Sequence, residues 1–116
     1  MISMTRRVDP SFSVVQSAGV TVVVMSGEFD HQEGKDLNTA LVRLLNDSPA
    51  SVVVDMTAVD FIDTSGIEML LRLHARIVRD GGGSMIVSGA SVTARRTLAV
   101  LGLLELFGMT SEPFMA

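Results

Sequence analysis

The stretch SVVVDMTAVDFIDTSGIEMLLRL, Ser51 to Leu73, decides how this chain is read. Its first six residues are rich in β-branched side chains, which predicts a buried strand over Ser51–Met56. After Gly66 the apolar period changes. Ile67, Leu70, Leu71, His74, Ile77 and Val78 recur at helical spacing and predict an amphipathic helix with one buried stripe. TAVDFIDT, Thr57 to Thr64, reads as the loop between them. That loop runs into Asp63-Thr64-Ser65-Gly66, three candidate helix caps in a row followed by glycine.

Upstream, SFSVVQSA (Ser11–Ala18) and VTVVVMSG (Val20–Gly27) are β-type runs. The small residues Ala18-Gly19 between them suit a hairpin turn. GEFDHQEGKDLNTALVRLLNDSP, Gly27 to Pro49, reads as a helix. Leu37, Ala40, Leu41, Leu44 and Leu45 make its stripe, Asp30 with Glu33 suggests a capping box, and Pro49 lies beyond its end. Downstream, RDGGGS (Arg79–Ser84) closes the second helix with glycines fit for left-handed backbone. SMIVSG (Ser84–Gly89) is a further strand. SVTARRTLAVLG (Ser91–Gly102) is a third helix, capped by Ser91 and stopped by Gly102. LLELF (Leu103–Phe107) reads as a last short strand, and residues 108–116 as a tail.

The order β-β-α-β-α-β-α-(β) predicts an α/β domain. Strands separated by helices should run parallel with right-handed crossovers, and the hairpin adds one antiparallel member to a mixed sheet. With 116 residues and neither repeat nor linker, residues 1–116 form one domain, its core at about 12–107. A composition 47% hydrophobic and 19% charged argues against disorder. A net charge of −4 and the lack of Trp and Tyr argue against a nucleic-acid ligand. Without cysteine there are no disulfides, thiolate metal sites or Cys nucleophiles. MISMTRRVDPSF lacks the apolar core of a signal peptide, and no apolar run is long enough to span a bilayer. A soluble, cytoplasmic protein without membrane insertion is expected.

If the second and third strands are parallel neighbours, one sheet edge gathers Glu28, Asp30 and His31 with Asp60, Asp63, Thr64 and Ser65. Ser65-Gly66-Ile67-Glu68 fits the capping box S-x-x-E, so Ser65 has a purely structural reading. Three caps exceed the need of one helix, however. One hydroxyl should be left exposed, beside a glycine that admits a large partner. A nucleophile would need a base and an oxyanion hole. The chain has two histidines, with His74 on a buried stripe suited to packing and His31 in a first helical turn, and DTSGI is not the G-x-S-x-G elbow. The four carboxylates match no metal motif, and Gly81–Gly83 follow a helix rather than opening one. No metal or cofactor is expected. Met69 and Leu73 fall off the buried stripe, beside Arg72 and Arg76, and offer an adaptable apolar docking surface.

GEFDHQEGKDL after a hairpin, then VVVDMTAVDFIDTSGIEMLLRL, then GGGSMIVSGASVTARRTLAVLGL, together resemble the anti-sigma factor antagonists of bacteria, the namesake group of the STAS domain. The resemblance runs from about Phe12 to Phe107 and implies a single STAS-like domain. Its most specific element is D-[ST]-[ST]-G, met by Asp63, Thr64, Ser65 and Gly66. In that family the residue before the glycine is phosphorylated by the partner, an anti-sigma factor that is also a serine kinase. The resemblance thus implies phosphorylation at Ser65; with the edge residues and the off-stripe pair of the second helix, the expected partner surface is Asp30, Asp63, Thr64, Ser65, Gly66, Met69 and Leu73. The unphosphorylated form would bind the kinase and free a sigma factor, and a metal-dependent serine phosphatase would reset it. Two departures stand out. Glu68 occupies a place where relatives often have a small residue, and the chain ends soon after Phe107, where many continue into a final helix. Two other readings stay open: a STAS subunit of another signalling or lipid-transport assembly, and a ligand binder or enzyme using the acidic edge.

Overall fold

A computed structural model describes residues 12–45 and 50–109. The Pro49 stop and most of the predicted tail lie outside these residues. Strand β1 (Phe12–Ser17) turns through Ala18 and Gly19 into β2 (Val20–Phe29) and pairs antiparallel with it, from Ser17–Val20 to Phe12–Met25. Both turn residues have positive φ, +51° at Ala18 and +81° at Gly19, as a tight two-residue hairpin requires. Helix α1 (His31–Leu45) leads to β3 (Ser51–Ile62), which runs parallel to β2. Helix α2 (Thr64–His74) is extended by a π-helical segment, Ala75–Asp80, before β4 (Ser84–Ala90), parallel to β3. Helix α3 (Val92–Val100) follows, and the sheet order is β1-β2-β3-β4. This is the mixed sheet with an antiparallel hairpin that the element order predicts.

The core lies between one face of the sheet and the helices. Val23, Met25, Val52, Val54, Met56, Met85 and Val87 meet Leu37 and Leu41 of α1 and Ile67, Leu70 and Leu73 of α2. Alternate strand residues point the other way, so Val15, Val24 and Ile86 are exposed.

Three predicted boundaries change. The first helix begins at His31, because Gly27–Phe29 continue β2. The predicted loop Thr57–Ile62 is strand: β3 runs on to Ile62 beside the lengthened β2, which satisfies its backbone polar groups. The register slips between Val24 and Ser26, and again between Gly27 and Glu28, where Gly27 adopts φ +70°. Mixed polarity in this part of β3 follows from those irregularities, and it hid the strand from a period-based reading. At the first slip the Thr57 hydroxyl and its amide hold the Asp55 carboxyl below its ordinary range. Finally, LLELF is not a strand but a set of tight turns, with Phe107 N–H bonded to Leu103 O and Met109 N–H to Leu104 O. Leu104 and Phe107, three apart, are both buried, a spacing that a turn satisfies and a strand does not. Phe107 O still accepts a hydrogen bond from Val87 N–H of β4 at 2.8 Å.

Candidate functional site

The parallel pairing of β2 and β3 brings Glu28 opposite Phe61 and Phe29 opposite Ile62. Each strand then passes through one residue, Asp30 or Asp63, into a helix. The two turns therefore stand side by side, and each aspartate serves its own helix. Asp30 Oδ1 accepts from Glu33 N–H at 3.0 Å, and Asp63 Oδ1 accepts from Gly66 N–H at 2.7 Å. Asp63 is the N-cap of α2, with φ −97° and ψ 176°. The short, charge-assisted bond satisfies one of the amides that a helix start leaves unpaired.

This assignment corrects the capping-box reading of Ser65. Thr64 and Ser65 are the first two residues of α2, one and two positions past the N-cap and so too late to cap it. Neither hydroxyl makes a hydrogen bond among the described residues. Thr64 is exposed and Ser65 half-buried. Of the three candidate caps Asp63 takes the role, and the hydroxyls are left over.

Gly66 is buried and does not open the site to a partner. A Cβ there would fall against the Phe29 carbonyl oxygen and lie 3.2 Å from Ile62 Cγ1. The glycine lets the start of α2 press against the end of β2. Met69 and Leu73 also leave the proposed surface, with relative exposures of 9% and 1%. A single buried stripe presumes one neighbour, the sheet, whereas α2 has two. Its flank meets α1 at Gly34, where Met69 Cγ would lie 2.8 Å from an added Cβ. Asn38 Nδ2 of α1 donates to Met69 O at 3.2 Å. Gly66, Met69 and Leu73 therefore form a second buried stripe at spacings of three and four.

His74 packs edge-on against Phe107, ring centroids 5.5 Å apart, which is the packing role its stripe position predicts. His31 is exposed at the start of α1. Among the described residues no three His, Asp or Glu side chains gather as metal ligands, and no helix is long and apolar enough to cross a membrane. What remains is a free hydroxyl pair at a helix N-terminus, on a sheet edge that also carries Glu28, Asp30, Asp60 and Asp63. One feature escaped the sequence reading: Phe61, folded into the supposed loop, is 50% exposed. The break in alternation at Val59-Asp60-Phe61-Ile62 was the signal available for it.

Comparison with known proteins agrees with this geometry. Residues 11–114 match the STAS domain. The anti-sigma-F factor antagonist RsfB of Mycobacterium tuberculosis is 29% identical over 99 residues, 85% of this chain and 80% of that protein. An anti-sigma factor antagonist from Mycobacterium paratuberculosis superposes with a TM-score of 0.71 at 27% identity, covering 87% of this chain and 85% of its own. The anti-sigma factor antagonist SpoIIAA in its unphosphorylated form shares the fold, with a TM-score of 0.67 at 21% identity over 79% and 81% of the two chains.

Proposed function

The chain belongs to the STAS domain family, and from that premise we propose that it is an anti-sigma factor antagonist switched by phosphorylation of Ser65. It acts in the cytoplasm as a binding module without catalysis of its own. Unphosphorylated, it holds an anti-sigma factor that is also a serine kinase, and so frees a sigma factor. The kinase ends the complex by modifying Ser65. A metal-dependent serine phosphatase restores the hydroxyl.

The observation that carries this reading is the division of labour at the start of α2. Asp63 caps the helix, so the Ser65 hydroxyl can change chemically without removing a structural bond. In the transfer, Ser65 Oγ bonds to the γ-phosphorus of ATP, the bridging bond to the β-phosphate breaks, and ADP leaves. The hydroxyl proton passes to a base on the kinase. The product carries about −1.5 to −2 charge at neutral pH. A helix N-terminus stabilises a negative charge by about 0.3–1 kcal/mol, so the fold tolerates it. A partner surface shaped to a neutral, half-buried hydroxyl must instead desolvate a dianion and make room for it. Binding fails while folding survives.

The test incubates the purified chain with each anti-sigma factor serine kinase of its source organism, ATP and magnesium. Intact-mass and peptide spectra should show one phosphoryl group, on Ser65, and none on Ser65→Ala. By calorimetry Ser65→Ala should bind the kinase as the unmodified chain does, and Ser65→Asp more weakly. Incorporation at another residue, or equal binding by the two variants at matched stability, would refute the switch.

A further inference from the structure

The half-exposed Phe61 is not a casual surface residue. Among the described phenylalanines, Phe29 and Phe107 are fully buried and Phe12 packs against the core from the edge strand. Phe61 alone stands out, at 50% exposure. Strand alternation would not place it there. Val59 faces the core, so in a regular strand Phe61 would follow it inward and Ile62 would point out. The slip between Gly27 and Glu28 adds one residue to β3, since Gly27 pairs with Val59 but Glu28 with Phe61. One extra residue exchanges the faces. Ile62 goes into the core beside Phe29, and Phe61 turns outward opposite Glu28. The larger apolar side chain has been put in water by a bulge, a device that re-aims side chains beside functional sites.

Among the described residues, the charged ones that strand pairing and sequence place next to it are acidic. Glu28 is its cross-strand partner and Asp60 its neighbour, and Asp30 and Asp63 close the two turns. Among the described residues, Glu28 and Asp60 make no ion pair. An exposed aromatic side chain flanked by two carboxylates without ion-pair partners is complementary to an apolar pocket with a cationic rim.

We infer that Phe61 is the anchor by which this chain docks on its protein partner, and that the partner receives it in an apolar pocket edged by Lys or Arg. The inference rests on the switching role proposed for Ser65 and deepens it. Phe61 projects from the sheet face away from the core, whereas Ser65 starts a helix on the core side. The anchor and the switch therefore occupy separate parts of one edge. The partner's cations answer Glu28 and Asp60 and need not meet the phosphate.

The experiment uses the kinase that phosphorylates Ser65 in the assay above. Calorimetry compares the unmodified chain, Phe61→Ala, Phe61→Leu and the double variant Glu28→Gln/Asp60→Asn, at low and at moderate salt, with thermal melts of each. Phe61→Ala should weaken binding by about tenfold or more while its melt holds, since the side chain covers little core. Phe61→Leu should recover part of the affinity, which keeps the test valid should the alanine variant melt early. The double variant should bind more weakly at low salt and lose most of the salt dependence. A Phe61→Ala protein that binds and is phosphorylated like the unmodified chain overturns the anchor and leaves the switch standing. Unchanged salt dependence in the double variant overturns the cationic rim. If no kinase modifies Ser65, the switch falls and the anchor falls with it.

Discussion

Gly66→Ala is expected to destabilise this protein, although alanine ordinarily strengthens a helix. In an open helix interior the exchange favours folding by about 0.8–1.0 kcal/mol. Here the new methyl falls against the Phe29 carbonyl oxygen and comes within 3.2 Å of Ile62 Cγ1. The carbonyl belongs to the hydrogen-bonded end of β2, next to the residue that caps α1, so no rotamer change relieves the clash. The start of α2 must retreat. Overpacking costs about 1–3 kcal/mol, and contact with fixed backbone puts this case near the upper figure. Subtracting the gain in helix propensity leaves a net loss of about 2 kcal/mol. Unfolding entropy of about 2.1 cal/mol/K per residue gives about 0.24 kcal/mol/K for 116 residues. The midpoint should then fall by about 8 °C in a calorimetric melt. Under the proposed switch, the rate of Ser65 phosphorylation should fall as well, because Gly66 sets where Ser65 stands. A melting temperature equal to or above that of the unmodified chain would show that α2 does not press on β2, and would refute the account of the motif glycine.

Two further expectations follow from the same geometry. Leu73→Ala should lose about 2–5 kcal/mol in urea unfolding, the range for emptying a buried leucine site, because α1 and α2 close over it. A loss below about 1 kcal/mol would return Leu73 to the surface. Asp63→Ala should lose about 0.5–2 kcal/mol with its cap, whereas Ser65→Ala should stay within about 0.5 kcal/mol of the unmodified chain. Equal losses in the two variants would mean that Ser65 shares the capping.

What the sequence alone determined is local. Changes of apolar period separated strands from helices, Ala18-Gly19 set the hairpin, and Asp30 and Ser91 marked helix starts that their side chains do cap. These readings held because each depends on residues within a turn or two of one another. The fold class followed, since a strand-helix-strand order restricts how a sheet can be built. The tertiary structure decided the rest. Whether Asp63 or Ser65 capped α2 turned on which residue left the strand first, and that depended on β3 running on to pair with β2. Gly66, Met69 and Leu73 looked open because a single helix does not reveal how many neighbours it has. The ends of β2 and β3 bury Gly66, and the approach of α1 covers the flank of α2 that carries Met69 and Leu73. Phe61 went the opposite way, expelled by a register slip that exists only between two paired strands. Periodicity encodes one face of one element, but which hydroxyl is free and which aromatic ring meets water are fixed by the elements packed around them.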